Sequence, residues 1–548
     1  MPPAMPPASG PPAVRRAGAG LPLRPTRVAP RPLTGLASLL GVKMTSPAEL
    51  DPFAGRGGPA MVTGVTHDSR RVRPGDLYAA LPGSRQHGAR FCREAAAAGA
   101  VAVLTDAGGR DAATACALPV FVVSDVRARV GEVAAWVYGR PSERLLLIGV
   151  TGTSGKTTTS YLLESGLRMA GHLTGLVGGV ETRAGSLTAP SELTTPEATD
   201  LQALFAVMVE QGVTAAAMEV SSHALALGRT AGTAYDVAIF TNLSQDHLDF
   251  HASLDDYFAA KAALFTPRYA RAGVVNIDDP RGRELTEVAQ IPVTTFSATG
   301  SQAADWRATD VRCGADGSAF RVVGPGGVEA DATIALAGPF NVANALGAVV
   351  ALVEAGIGLQ SAVAGVAACP GVPGRLERVD VGDGQEFTIL VDYSHKPAAV
   401  EAALRALRPV TLGRLTIVLG CGGDRDRAKR PLMGAAAASL ADVAILTSDN
   451  PRSEDPLAIL AAMLEGAVGV DRQQRAHVIV EPDRAAAISL AIAGAGKGDV
   501  VLVAGKGHER GQYVGGSVIP FDDREVAAAA ATVRAAAERR ATGAGCGE

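Results

Sequence analysis

The sequence predicts an α/β protein of three domains: a small N-terminal α/β domain, a central P-loop ATPase-type parallel sheet carrying a small antiparallel sheet, and a C-terminal Rossmann-like domain. Three observations point there. LLLIGVTGTSGKTTT, Leu145–Thr159, is an apolar strand-like run that ends in glycines, a lysine and threonines, and a helix-compatible YLLESGLRMA follows it. That is the strand–loop–helix grammar of a phosphate-binding loop. On either side, short apolar runs alternate with helical segments, the pattern of a parallel sheet covered on both faces. Finally, Arg140-Pro141 and PGVPG at Pro370–Gly374 break the chain into pieces.

In chain order, residues 1–32 (MPPAMPPASGPPAVRRAGAGLPLRPTRVAPRP) mix Pro, Ala and Arg without an apolar signal core, and read as a disordered tail. Residues 33–140 form the first domain, with a Pro-Gly turn in VTGVTHDSRRVRPGDLYAALPG, helix then strand in REAAAAGAVAVLTD, and a strand in LPVFVVSD. Residues 141–371 form the central domain. Strands are expected at AAAMEV, DVAIFTNL and AGVVNID, and a helix at LQALFAVMVEQG. Gly-punctuated antiparallel hairpins follow near ADWRATDVRCGADGSAFRVVGPGGVEADATIALAG, then a helix at GPFNVANALGAVVALVEAG. Residues 372–535 alternate again, with strands at EFTILVDYS, RLTIVLGCGG, ADVAILTSD, AHVIVE and DVVLVAG; GCGGDR is not a true GxGxxG fingerprint. Residues 536–548 read as a frayed tail after a helix.

Composition narrows the function classes. A chain of 548 residues holds three or four domains on length alone. A net charge of −4 gives no reason to expect nucleic acid or a membrane surface as partner. Six scattered cysteines lack zinc spacing and read as the reduced thiols of a cytoplasmic protein. No apolar run approaches the ~20 residues of a membrane span. Only seven lysines stand against 44 arginines, so a lysine marks a place where an amine is needed. Chance survival is the preferred account of Lys43 and Lys497.

In the loop, Gly152, Thr153, Ser154 and Gly155 offer backbone N–H groups to phosphate oxygens where a Cβ would obstruct them. Lys156 would reach the β- and γ-phosphates, and the Thr157 hydroxyl, next to Thr158, would ligate Mg²⁺. The usual pattern wants a glycine five residues before Gly155, where this chain has Val150. Two later strand ends, MEVSSH and FTNLSQDHLD, should meet the loop at one sheet edge. Glu219 and His247 there can face the metal of a bound triphosphate, although a helix cap and a core hydrogen-bonder would account for them too. Lys261, in DDYFAAKAALF, is either a functional amine or a snorkelling surface lysine.

TGTSGKTTT, MEVSSHAL, FTNLSQDHLDFH, YFAAKAALF, GPFNVANA, PGRLERV, VDYSHKP, GCGGDRDRAKRPLMG, DNPR and AGKGHE, with DSRRVRPGDLYAALPG before them, resemble the Mur ligases of peptidoglycan synthesis over roughly Val62 to Asp523. That family reads TGTxGKT, which accounts for Val150. The resemblance implies an ATP-dependent amide ligase that phosphorylates the D-glutamate carboxylate of UDP-N-acetylmuramoyl-L-alanyl-D-glutamate and couples the acyl phosphate to meso-2,6-diaminopimelate. By the same resemblance the first domain binds UDP, and Lys156, Glu219, His247 and Lys261 are catalytic. Thr157, Glu219, His247 and Lys261 would serve Mg²⁺, with Lys261 carrying a CO₂-derived carbamate. Asn341, Arg375 and Asp392 match ATP contacts; Ser69, Thr194, Thr195, Ser221 and Arg229 match contacts to the UDP-sugar peptide.

Arg425, Asp449, Asn450, Pro451, Arg452, Gly505 and Glu509 match the diaminopimelate pocket. There the Arg452 guanidinium suits a second carboxylate and Glu509 the distal ammonium. DNPR by itself is equally a helix-entry turn. GSRQHGARF departs from the family's form, which leaves Gln86 and His87 without an assigned role. The expectation is a cytoplasmic monomer with small-molecule partners only. The nearest rivals are a lysine-adding Mur ligase, which lacks this arginine, and a folylpolyglutamate synthetase-like ligase. A P-loop GTPase switch should carry an NKxD-type motif, and none is seen.

Overall fold

The computed structural model describes residues 24–45, 60–83, 86–314, 316–382 and 385–543. It divides into two compact units, 1–296 with 347–365, and 297–346 with 366–548. Most of the expected N-terminal tail, and residues 544–548 of the C-terminal one, lie outside the described residues.

The first unit holds two main sheets and a two-stranded pair. The smaller is all parallel: Gly64–Thr66, Asp76–Ala79, Ala102–Thr105 and Val120–Val122 pair in that order. Its strands are short, and those from Asp76 and Ala102 are buried throughout, which fits a sheet covered on both faces. The larger sheet centres on Leu146–Thr151, with Ala215–Glu219 on one side and Tyr235–Phe240 on the other, both parallel to it. Thr174–Val177 lies outside Ala215–Glu219; Ala270–Asn276 and Val293–Ser297 continue beyond Tyr235–Phe240. Beyond Thr174–Val177 come two antiparallel strands, Glu181–Ala184 and, at the edge, Leu187–Pro190, and the sequence pattern does not announce them. Their stretch, VETRAGSLTAP, alternates too weakly to stand out.

Helix Val126–Val137 of the first domain lies on the larger sheet's domain. A Cβ at Gly131 would come within 2.1 Å of the Ala231 carbonyl, so only glycine permits this approach. His67 Nδ1 meets the Thr199 hydroxyl at 2.8 Å, and Arg71 meets Asp200 at 3.3 Å.

The second unit begins with the expected hairpins, Trp306–Gly314, Gly317–Val323 and Glu329–Ile334, all antiparallel. Its main sheet runs Glu377–Val379, Thr388–Asp392, Val500–Ala504, Leu415–Leu419, Val443–Leu446 and His477–Val480, parallel except for the first strand. Side chains alternate across its faces. Leu390, Ile417, Leu502 and Ala504 pack with helices Pro397–Leu407, Lys429–Leu440 and Pro456–Val468. Ile389, Val391, Val418, Val501 and Val503 pack with Arg484–Gly494 and Asp523–Gly543. Both faces being buried is why TILVD, LTIVL and VVLVA read as unbroken apolar runs.

The tail boundaries move. Residues 24–32 are ordered where a tail was expected: Arg24 grips Asp76 with two hydrogen bonds of 2.9 and 3.0 Å, and Arg31–Pro32 pairs with Met61–Val62. With the Thr26 N–H donating to Glu210 at 2.9 Å, these ties hold a segment whose composition suggests disorder. At the other end the last helix continues to Gly543, past the expected end at 535.

Arg484 and Asp523 form a fully buried, two-pronged ion pair, 2.7 Å at each prong, and Arg484 also donates to the Ala504 carbonyl at 2.9 Å. Removing one partner strands the other charge in the core. Asp523→Ala should therefore lower the stability of this unit by about 3–5 kcal/mol in a urea titration, while the joint replacement Arg484→Met with Asp523→Leu should cost much less. Equal losses for the single and joint variants would show that packing, not the charge, is at stake.

Candidate active site

The phosphate loop follows from the register around Leu146–Thr151. Thr151 pairs with Phe240, so the chain after each strand emerges at the same edge. Gly152 has φ 145°, and a Cβ on it would lie 1.9 Å from the Thr241 hydroxyl. The loop is braced by that neighbour strand: Thr153 N–H donates to the Asn242 carbonyl at 2.9 Å, Ser154 N–H to Asn242 Oδ1 at 3.0 Å, and the Thr241 hydroxyl to the Ser154 carbonyl at 2.7 Å. Gly155, at φ 89°, turns the chain into helix Lys156–Met169. Its N-terminal amides, with Thr157 and Thr158 in the first turn, make the positive end of a helix dipole.

Two lysines converge on this loop. Lys156 Nζ donates to the carbonyls of Gly152 (2.8 Å) and Thr153 (3.1 Å). Lys261 Nζ donates to the same Gly152 carbonyl at 2.8 Å, is 1% exposed, and lies 4.5 Å over the Tyr257 ring. The surface-lysine alternative is thereby removed: Lys261 points inward to the loop from helix Leu254–Ala262.

Glu219 ends the strand Ala215–Glu219, opposite Val150, and is buried. Its Oε1 accepts the Gly179 N–H at 2.8 Å, and a Cβ on Gly178 would come within 2.5 Å of that oxygen. The carboxylate sits in a cradle that glycines keep open. Two oxygen donors of different kinds, the Thr157 hydroxyl and the Glu219 carboxylate, suit Mg²⁺, which binds through few protein ligands and completes its shell from phosphates and water. His247 is the less ordinary donor. It is half-exposed, its Nε2 lies 3.1 Å from Asp246 Oδ2, and its φ of 54° is a left-handed conformation that costs a non-glycine residue about 1–3 kcal/mol.

Around His247 the DHLDFH stretch gathers rings that lie far apart in the sequence. His223 stacks edge-on to His247 at 4.6 Å and lies 4.2 Å from Phe250. His251, 3% exposed, bridges Ser222 Oγ (3.0 Å) and Asp256 Oδ2 (3.3 Å). Burial, and then the neighbouring His251, hold the His223 imidazole below its ordinary value.

Four further expected residues meet beside Glu219. The Thr195 hydroxyl donates to the Glu219 carbonyl at 2.9 Å and accepts the Ser221 N–H at 3.1 Å. Arg229 reaches toward the Thr195 carbonyl (3.5 Å) and pairs with Glu197 at 2.9 Å, and Thr194 lies next to Gly179. Ser69 stands apart on the smaller sheet. It opens a short helical turn, Ser69–Arg71, capped by Asp68, beside a cavity of about 260 Å³ lined by Arg24, Arg70, Arg71, Val72 and Arg73. His87, left unassigned by the sequence, caps the turn Gly88–Phe91 by accepting the Ala89 N–H at 3.0 Å, and its other nitrogen meets Asp106 at 3.0 Å.

In the second unit, Asn341 is buried at the start of Pro339–Glu354, its amide donating to the Ala337 carbonyl at 2.8 Å. Asp392 ends its strand and accepts the N–H groups of Leu376 and Ser394, both at 2.7 Å. It thereby fixes the turn carrying Arg375, whose guanidinium lies 4.6 Å over the Tyr393 ring. The DNPR residues form a tight group with the AGKGHE loop. Asn450 donates to Glu509 at 2.8 Å and accepts from Lys506 at 2.9 Å, and Lys506, wholly buried, also meets Glu509 at 3.1 Å. A Cβ on Gly505 would press on Asp449 at 2.7 Å; burial pushes the Asp449 carboxyl above its usual range. Arg452 (φ 53°) donates from Nη1 to the Gly423 carbonyl at 2.7 Å, and Pro451 and Arg425 flank that same turn. Among the described residues no three His, Cys, Asp or Glu side chains gather as a metal site.

Comparison with known proteins gives the family. Three family models match in succession: "Mur ligase family, catalytic domain" over residues 61–138, "Mur ligase middle domain" over 150–352, and "Mur ligase, glutamate ligase domain" over 374–507. The chain is 60% identical to a UDP-N-acetylmuramoyl-L-alanyl-D-glutamate–2,6-diaminopimelate ligase of Streptomyces coelicolor, over 92% of this chain and 97% of that one. It is 49% identical to the protein of the same name from Corynebacterium glutamicum, over 87% and 93%. A solved structure titled for the same ligase superposes with a TM-score of 0.64 at 33% identity, covering 90% of this chain and all of that one. The chain belongs to the Mur ligase family.

Proposed function

We propose that this protein joins meso-2,6-diaminopimelate to UDP-N-acetylmuramoyl-L-alanyl-D-glutamate with the conversion of ATP to ADP and phosphate, a step of peptidoglycan synthesis. The observation that carries the reading is the 60% identity, over 92% of the chain, to a ligase named for that reaction. The work is divided among a UDP-binding domain at 33–140, an ATP-binding domain at 141–371 and a domain for the incoming amino acid at 372–535, a reading that the three successive family matches support.

The chemistry follows from the residues. A carboxylate does not accept an amine until an oxygen becomes a leaving group, so the D-glutamate carboxylate attacks the γ-phosphorus and ADP departs. The diaminopimelate amine then attacks the acyl carbon, loses a proton, and the tetrahedral adduct expels phosphate. Lys156 and the loop amides of 152–158 hold the triphosphate and follow its charge as it shifts in flight. Thr157, Glu219 and His247 would hold Mg²⁺, which neutralises phosphate charge when bound. Lys261, as a carbamate, supplies an anionic partner from a side chain that is otherwise cationic. Asn341, Arg375 and Asp392 serve ATP; Ser69, Thr194, Thr195, Ser221 and Arg229 serve the UDP-sugar peptide. Arg425, Asp449, Asn450, Pro451, Arg452, Gly505 and Glu509 select the amino acid. The protein works as a cytoplasmic monomer, where ATP and its UDP-linked substrate are at hand. No helix among the described residues is long and apolar enough to cross a membrane.

ADP release, assayed with the UDP-dipeptide and one amino acid at a time, tests the reading. meso-Diaminopimelate should support turnover and L-lysine should not. Turnover with lysine alone would make this a lysine-adding ligase, and turnover with L-glutamate on a folate would move it to the folylpolyglutamate synthetases.

A further inference from the structure

We propose that Glu454, two residues beyond Arg452, is a positioning residue for amino-acid selection: its carboxylate locks the 422–430 loop onto the 450–454 loop and so fixes the Arg452 guanidinium. The inference rests on the diaminopimelate reading above.

The Arg452 backbone, left-handed at φ 53°, is held to the next hairpin: its N–H donates to the Tyr513 carbonyl at 2.8 Å and its carbonyl accepts the Gly515 N–H at 2.7 Å. Its side chain has no such support and is anchored by one bond, from Nη1 to the Gly423 carbonyl at 2.7 Å. The position of that carbonyl therefore sets where the guanidinium points. Gly423 lies directly against the DNPR turn: its N–H donates to the Asn450 carbonyl at 2.9 Å, and a Cβ on it would fall 2.0 Å from the Pro451 carbonyl and 3.3 Å from Glu454 Cβ. A Cβ on Gly422 would reach 2.9 Å from Arg452 Nη1 itself. The two loops touch backbone to backbone, so their register depends on polar ties.

Glu454 supplies the lock. Oε1 accepts from Arg430 Nη2 at 2.8 Å and from the Asp424 N–H at 2.6 Å, and Oε2 accepts from Arg430 Nη1 at 3.1 Å. The exposed Arg427 lies 3.1 Å from Oε2 and adds little. Arg430 is only 5% exposed in its side chain, and its Nη2 also faces the Gly422 carbonyl at 3.4 Å. The carboxylate thus grips the residue that follows Gly423 and the helix start that ends the loop. From the other side, Asp424 accepts the Ser453 hydroxyl (2.8 Å) and N–H (3.1 Å), tying the same loops a second time. The Arg430 fork, then the Asp424 N–H, push the Glu454 carboxyl down to about 2. Only a carboxylate fits: it accepts a two-pronged guanidinium and a backbone N–H together, whereas an amide offers one acceptor and turns an NH₂ toward Arg430.

The test is a double-substitution cycle with Arg452. Glu454→Gln should raise the KM for meso-diaminopimelate about tenfold, with kcat and the KM values for ATP and the UDP-dipeptide within about twofold of wild type. Added to Arg452→Ala, it should cost nothing more, because Glu454 acts through the guanidinium that is already gone. If Glu454→Gln imposes its full factor on the Arg452→Ala background, or raises all three KM values in parallel, the residue is merely structural and the inference falls. If Arg452→Ala alone leaves the diaminopimelate KM at its wild-type value, the reading of the pocket fails instead. Should Glu454→Gln not fold, judged by its thermal melt, Ser453→Ala takes its place in the cycle. That exposed hydroxyl lends the second tie, and its loss should raise the same KM about two- to threefold, again with no further cost on the Arg452→Ala background.

Discussion

Lys261→Ala should abolish nearly all turnover, at least about 10²–10³-fold in kcat, the loss expected when one preorganised charge beside a transferring phosphoryl group is removed. Added bicarbonate should not restore it, since no amine remains to capture CO₂. Lys261→Arg is the sharper experiment. A guanidinium keeps the positive charge, the length and the capacity to donate to the Gly152 carbonyl, so if Lys261 serves only as a buried cation over Tyr257 the arginine variant should work well. If the residue acts as a carbamate, arginine must fail as badly as alanine, because forming R–NH–COO⁻ needs an uncharged amine that attacks the carbon of CO₂ and releases a proton to solvent. Near-normal turnover of Lys261→Arg would refute the carbamate. Thermal melts separate chemistry from folding: both variants should remain folded with the UDP-dipeptide still bound, since Ser221 and Arg229 lie on other elements.

The sparing use of lysine makes Lys261 stand out in the amino-acid sequence itself, and it sorts the other lysines unevenly. Lys156 and Lys261 share one carbonyl; Lys506 is fully buried with three partners; Lys429 donates to the His395 carbonyl at 3.0 Å. Lys497, which the sequence gives no reason to single out, is a surface residue 81% exposed in its side chain. Strands are legible because both faces of the sheets are buried, which leaves apolar runs such as LTIVL and VVLVA in plain view. The tertiary partners of polar residues are not. Nothing local in FTNL says that Thr241 and Asn242 brace a loop 88 residues earlier. Nor does DNPRSE announce that its glutamate meets Arg430, or HASLDD that His251 spans Ser222 and Asp256. Those bonds depend on register between distant strands, which a one-residue shift would undo. Arg24 is the same lesson in reverse: its setting reads as disordered, yet distant partners, Asp76 for Arg24 and Glu210 for Thr26, tie it down.

Arg452→Ala should raise the KM for meso-diaminopimelate steeply while leaving those for ATP and the UDP-dipeptide nearly unchanged. Loss of a desolvated charge pair is worth on the order of 2–5 kcal/mol, roughly 30- to several-thousand-fold in selectivity. Arg452→Lys should rescue little. The guanidinium uses Nη1 to hold the Gly423 carbonyl and keeps further N–H groups for a carboxylate, and an ammonium cannot divide its donors in that fixed plane. L-Lysine need not become a good substrate, since removing a contact to one ligand does not build a site for another. The Glu509 carboxylate already shares Lys506 and Asn450, so the distal ammonium meets a partly neutralised acid and the distal carboxylate must supply the discrimination. That places the larger effect at Arg452: Glu509→Gln should weaken diaminopimelate less than Arg452→Ala does. The reverse order would hand selection to the ammonium, and a parallel loss for all three substrates would make Arg452 a support of the fold.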